Sequence, residues 1–172
     1  MRIVFLGSPD FATIPLRKMV DAGYEVAGVF SQPDRPRGKR GKELKPTPVK
    51  EAALTMGLPV YTPMKLNTPD AIAELRALKP DLLVVVAYGH ILNEEVLQTA
   101  SLGAINIHAS LLPFYRGAAP IQRALMNGEH ESGVTIMYLD KGMDTGDMIL
   151  RQSLPLDDNE TFGTLHDKLC EL

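Results

Sequence analysis

At 172 residues, 45% hydrophobic and 23% charged, the chain can bury one sizeable core and has a globular rather than a disordered or fibrous composition. Its formal charge of -3 argues against non-specific nucleic-acid binding by the chain as a whole. A single cysteine, Cys170, excludes an intramolecular disulfide and a multi-cysteine metal site and fits a reducing compartment.

The N-terminus enters a strand at once, and its apolar run is too short for a signal peptide. Residues 3–6 and 26–30 read as strands around a helix at about residues 10–22, with Gly23 as its terminator. Together they predict a βαβ unit with parallel strands. Gly7-Ser8-Pro9-Asp10 stands where a dinucleotide phosphate loop would follow the first strand, but it has one glycine and Pro9 lacks a backbone donor. A turn with Ser8 or Asp10 capping the helix is the better reading.

Residues 32–50 break the pattern. From Pro33 to Lys50, seven basic residues face two acidic ones, so the segment carries about +5 and the rest about -8. Its prolines and glycines predict a mobile surface loop. Such a charge run is either a solvated face or a set of contacts to a phosphate backbone.

The alternation then resumes. A helix is predicted at about residues 48–56, a short strand at 59–61, and a helix capped by Asn67, Thr68 or Asp70 that Lys79-Pro80 stops near Leu78. Residues 81–87 read as a strand buried on both faces, far too short for a membrane span. A cytoplasmic protein is therefore expected. The turn Ala87-Tyr88-Gly89-His90 follows, and loops at the carboxyl ends of parallel strands line ligand crevices. His90 competes there as a catalytic candidate but has no carboxylate near it in sequence, so it reads as a loop residue. A short helix from about Glu94 and a strand at 104–108 come next, then a helix at about 118–127, strands at 134–139 and 148–152, and a last helix starting near Thr161. The whole predicts a three-layer α/β domain with a mostly parallel sheet. Residues 162–172 are helical in pattern and stop without a Gly or Pro signal, so more protein is expected beyond them.

Two places could carry chemistry. Asn106-Ile107-His108 puts an amide and an imidazole on one face of a strand, directly before Ala109-Ser110-Leu111-Leu112-Pro113. This is either a solvated strand end or a fixed donor beside a group that changes charge near neutral pH. The loop at residues 139–147 holds Asp140, Asp144 and Asp147 with Gly142 and Gly146. It is either a hairpin turn with Asx bonding or a means of returning a carboxylate to His108, where it would fix the tautomer and favour the charged ring. No histidine pair has metal-ligand spacing, and no G-x-S-x-G nucleophile elbow is present.

Asn106-x-His108, Ser110-Leu111-Leu112-Pro113, Tyr115-Arg116-Gly117 and Asp144-Thr145-Gly146 resemble the formyltetrahydrofolate-dependent formyltransferases. Gly7-Ser8-Pro9-Asp10-Phe11-Ala12, Gln32-Pro33-Asp34-Arg35-Pro36 and Gly117-Ala118-Ala119-Pro120-Ile121-Gln122-Arg123 are similar to the branch of that family acting on methionyl initiator tRNA.

The resemblance covers nearly the whole chain. It implies a Rossmann-like catalytic domain over residues 1–172, cut near its C-terminal end, with a C-terminal tRNA-binding domain expected beyond it. It implies 10-formyltetrahydrofolate as formyl donor, no metal, and a monomeric enzyme. Asn106, His108 and Asp144 are the implied catalytic residues. The implied folate contacts are Val86, Ala87, Tyr88, Gly89, Ile91 and Leu92, then Ser110, Leu111, Leu112 and Pro113, and finally Leu139 and Asp140. The basic loop is implied to meet the tRNA through Arg35, Arg37, Lys39, Arg40, Lys42 and Lys45, and it is about one residue longer than the family pattern. Formyl transfer to a small amine (an amino sugar or a ribonucleotide) and a non-catalytic folate- or RNA-binding module are the competing readings.

Overall fold

The computed structural model describes residues 1–37 and 43–172, in two compact units, Met1–Ala104 and Ile105–Leu172. Lys39, Arg40 and Lys42 lie outside the described residues.

In the first unit, β1 (Arg2–Gly7) pairs in parallel with β2 (Glu25–Phe30) and with β6 (Leu82–Val86), and β2 pairs in parallel with β5 (Val60–Tyr61). Apart from their first residues, β1 and β6 are buried along their length. Unbroken runs such as Ile3-Val4-Phe5-Leu6 suit a strand with no solvent face. A 3-10 turn, Asp10–Ala12, leads into α1 (Thr13–Asp21). Neither Ser8 nor Asp10 caps it: Pro9 holds the cap position without a side-chain bond, and the Ser8 hydroxyl donates to the Tyr88 carbonyl at 3.2 Å. Gly7 is needed for packing, because a Cβ there would lie 2.8 Å from Phe5 and 2.9 Å from Ala12.

Helices α2 (Pro48–Thr55), α3 (Pro69–Ala77) and α4 (Glu94–Leu97) each start behind a side-chain cap, Thr47, Thr68 and Asn93 respectively. Of the three candidate caps for α3, Thr68 takes the role, accepting from the Ala71 amide. Asn67 instead fastens the next loop, donating to the Ile91 carbonyl at 2.9 Å and accepting from the Asn93 amide at 3.2 Å.

Where composition predicts a mobile surface loop, the described parts of the basic segment pair as strands. β3 (Arg35–Arg37) and β4 (Glu43–Lys45) form an antiparallel ribbon, with Arg35 opposite Lys45 and Arg37 opposite Glu43. Pro36 is tolerated because a two-stranded ribbon consists of edges only. The Lys50 ammonium, 2.7 Å from the Asp34 carboxylate, ties the ribbon's foot to α2.

The second unit pairs β7 (Ala104–His108) antiparallel with β8 (Glu131–Tyr138), and β8 antiparallel with β9 (Met148–Pro155). The α/β class is as expected, with β1, β2, β5 and β6 paired in parallel and only the β3–β4 ribbon antiparallel among the described pairs of the first unit. The link from β8 to β9 is too short for a parallel crossover, so those strands form a hairpin. β8 starts earlier than the predicted residue 134, because Ser132 and Gly133 are buried strand residues rather than a turn. A Cβ on Gly133 would lie 2.2 Å from the Gln152 carbonyl oxygen, so glycine lets β9 close on β8.

The helix expected from residue 118 is α5 (Pro120–Met126), delayed by a left-handed Ala119 and by Pro120 at its first position. α6 (Phe162–Glu171) opens with a reciprocal Thr161–Thr164 capping box. Among the described residues no helix is long and apolar enough to cross a membrane.

Candidate active site

Both chemically promising stretches fall in the second unit, and the structure brings them together. Asn106 and His108 alternate with Ile107 on β7, so their side chains leave the same face. His108 is 8% exposed, and its Nδ1 lies 3.6 Å from a carboxylate oxygen of Asp144, itself 13% exposed. Its Nε2 lies 2.9 Å from the Tyr115 carbonyl oxygen. A carbonyl can only accept, so Nε2 carries the hydrogen. An acceptor oxygen thus faces each ring nitrogen, the Tyr115 carbonyl at Nε2 and the Asp144 carboxylate at Nδ1.

Asp144 is held from three sides. Its carboxylate accepts from the Gly117 amide at 2.7 Å, and its carbonyl accepts from Arg116 Nε at 2.9 Å. Its backbone is left-handed, at φ 53°, a conformation that Asp tolerates better than most residues. The loop around it is built to fix that geometry. Asp140 accepts from the Thr145 hydroxyl at 2.7 Å and the Gly142 amide at 2.8 Å, and these bonds hold its carboxyl below the ordinary carboxylate range. A Cβ on Gly146 would lie 1.9 Å from the Tyr138 carbonyl oxygen.

Asn106 differs from its neighbours. Its half-buried carboxamide has no hydrogen-bond partner among the described residues. It is a donor with spare capacity on the same strand face as His108.

The turn at residues 110–113 is pinned from beneath. Thr135, fully buried on β8, donates to the Ser110 carbonyl at 2.7 Å and accepts from the Leu112 amide at 3.1 Å. Arg151 donates to the Leu112 carbonyl at 3.0 Å, and the Leu112–Pro113 peptide is cis. Sequence reading assigned no role to Thr135 or Arg151. The available signal was a lone hydroxyl inside the apolar run of β8, on the residue paired with His108. Asp140 Oδ1 takes the Thr145 and Gly142 bonds inside its own loop, and the residue is exposed.

In the first unit, the loop after β6 holds Ala87 and Gly89 in left-handed conformations on either side of a buried Tyr88. The Tyr88 hydroxyl has no hydrogen-bond partner among the described residues, and burial pushes its pKa up to about 12. Its carbonyl takes bonds from Ser8 and, at 3.2 Å, from Gln32. The same Gln32 amide lies 3.2 Å from His90 Nδ1, and the Gln32 oxygen accepts from Arg35 at 3.3 Å. His90 is thus paired with an amide rather than a carboxylate. Val86 and Leu92 are buried, whereas Ile91 is 76% exposed. Among the described residues no cluster of three His, Cys, Asp or Glu is gathered as if for a metal ion.

An Asn and a His on one strand, a carboxylate returned to the ring by a hairpin loop, and an α/β frame define a class. The sequence matches the family described as Formyl transferase over residues 1–172, and the chain belongs to that family. Within it, the chain is similar to proteins named methionyl-tRNA formyltransferase. It is 53% identical to that of Marinobacter nauticus over all of this chain and 55% of the relative. It is 55% identical to that of Pseudomonas savastanoi pv. phaseolicola over all of this chain and 54% of the relative. The chain therefore spans about half the length of the curated relatives it matches.

Solved structures share the fold. Phosphoribosylglycinamide formyltransferase from Bacillus halodurans superposes with a TM-score of 0.80 at 24% identity, over 98% of this chain and 87% of that one. A sugar 3N-formyl transferase, solved in the presence of dTDP and 5-N-formyl-THF, superposes with a TM-score of 0.72 at 22% identity, over 99% and 58%.

Proposed function

We propose that this chain carries the catalytic domain of a methionyl-tRNA formyltransferase, moving the formyl group of 10-formyltetrahydrofolate to the α-amine of methionyl initiator tRNA. The observation that carries this reading is the unpartnered Asn106 amide on the same strand face as the His108–Asp144 pair, in a chain about half identical to relatives of that name.

The chemistry needs what these residues offer. The amine adds to the formyl carbon, the carbonyl oxygen becomes an oxyanion, and aimed donors stabilise it. Asn106 supplies a donor not engaged elsewhere. His108, beside Asp144, supplies a ring that can exchange a proton. The amine must lose a proton and the departing N10 must gain one, and the His108–Asp144 pair is placed to relay it.

The folate contacts we propose are Val86, Ala87, Tyr88, Gly89, Ile91 and Leu92 in the first unit, and Ser110, Leu111, Leu112, Pro113, Leu139 and Asp140 in the second. The pinned turn and the self-satisfied Asp140 loop support the second group, since both present backbone in a fixed shape. The tRNA contacts we propose are the basic ribbon's Arg35, Arg37 and Lys45, with Lys39, Arg40 and Lys42. Placing Arg35 opposite Lys45 is unfavourable in isolation, and a polyanion relieves it. The wider setting belongs to the same proposal: a further tRNA-binding domain, a cytoplasmic monomer and no metal.

The test is transfer of labelled formyl from formyl-tetrahydrofolate to charged initiator tRNA, run beside a ribonucleotide amine and an amino sugar. Formylation of the tRNA alone is the expected result. Formylation of a small amine in its place would overturn the acceptor assignment.

A further inference from the structure

Tyr115 adopts a left-handed backbone, at φ 57°, which side chains bearing a Cβ rarely take up. Glycine would adopt it freely, so the tyrosine side chain must hold the strained backbone in place. Its hydroxyl donates to the Glu129 carboxylate and accepts from Asn127 Nδ2 at 2.9 Å. The Arg123 guanidinium lies over its ring, 5.7 Å from the centroid, and donates to the Arg116 carbonyl. Residues 115 and 116 are thus fastened to α5 and the turn that follows it.

The other side of this segment carries the contacts that place the catalytic pair. The Tyr115 carbonyl holds His108 Nε2, the Gly117 amide holds the Asp144 carboxylate, and Arg116 holds the Asp144 carbonyl. We infer that Tyr115 is a positioning residue, whose tether to Glu129 keeps its own carbonyl on His108 Nε2 and so sets the angle of the imidazole toward Asp144. The inference rests on the proposed formyl transfer for its kinetic consequence only; the ring geometry can be measured without any substrate.

Three variants separate the parts. Tyr115→Phe keeps the ring and removes the tethering hydroxyl, Glu129→Ala removes the acceptor, and Glu129→Gln keeps an acceptor oxygen. The first readout is nitrogen-detected NMR of the His108 imidazole in the folded, ligand-free chain. In the parent, Nε2–H is expected to exchange slowly with water. Exchange should quicken in Tyr115→Phe and Glu129→Ala and return toward the parent in Glu129→Gln.

The second readout is turnover, where a ring shifted off its productive angle is expected to lower kcat about tenfold. KM for the folate should stay within about twofold, since the tether does not touch the proposed folate contacts. The double variant Tyr115→Phe/Glu129→Ala should be no worse than Tyr115→Phe alone, because that change already cuts the link to Glu129. Unchanged Nε2–H exchange in both Tyr115→Phe and Glu129→Ala would overturn the inference, whatever the enzyme formylates. A parent that formylates no tRNA but shows the exchange pattern would overturn the proposed function and leave the tether standing.

Discussion

His108 and Asn106 do different work in this account, and single substitutions should separate them. Asn106→Ala removes one oxyanion donor and leaves the His108–Asp144 pair intact. It is expected to lower turnover about 100- to 1,000-fold with little change in folate binding. His108→Ala is expected to abolish transfer while folate binding survives, because the ring moves a proton rather than making a folate contact. Equilibrium binding measured beside single-turnover rates checks both. Near-normal turnover in His108→Ala would remove it from the chemistry. Thr135→Val tests the support beneath. It strands the Ser110 carbonyl and the Leu112 amide in a fully buried place, at a cost of about 1–3 kcal/mol in urea unfolding.

At the scale of elements, the loop between β8 and β9 is the device that returns a carboxylate to β7. Gly146→Ala cannot be accommodated against the Tyr138 carbonyl without moving the loop. We expect a loss of about 1–3 kcal/mol in stability and a larger relative loss in activity as Asp144 shifts. The stability of this loop should also depend on pH on the acid side. Asp140 has a folded pKa depressed by Thr145 and Gly142, so its stabilising contribution is present above the ordinary carboxylate range and is lost as pH falls through the folded value. Asp140→Asn should remove that acid-side dependence, read from unfolding midpoints across the carboxylate range.

Much of this was legible in the sequence. The strand bearing Asn106 and His108 was readable end to end, because its apolar alternation and the Leu-Leu-Pro turn bound it closely. Asp144 was readable only as a possibility, since nothing local says where a nine-residue loop folds back. The Tyr115 carbonyl and Gly117 amide were illegible, because backbone groups are common to every residue and reveal their partners only in three dimensions. The β3–β4 ribbon was hidden for another reason. Its prolines and clustered charge are what composition associates with irregular chain.

For the molecule as a whole, the net charge of -3 is set against positive charge concentrated between Pro33 and Lys50, which is where we propose the tRNA is met. Replacing Arg35 and Lys45 by Gln should weaken tRNA binding and flatten its salt dependence by about 0.7–0.9 for each phosphate no longer neutralised. Folate binding should not change. An unaltered salt slope would take the ribbon out of the tRNA interface.

We propose that Asn106, His108 and Asp144 carry formyl transfer to the amine of an aminoacyl-tRNA. The most direct test is a single-turnover assay with the chain in excess over charged initiator tRNA, so that weak tRNA binding does not limit the rate. Formylmethionyl-tRNA should appear with the parent chain and be lost with His108→Ala. Failure to formylate the tRNA while formyl-tetrahydrofolate is bound, or undiminished product with His108→Ala, would contradict this proposal.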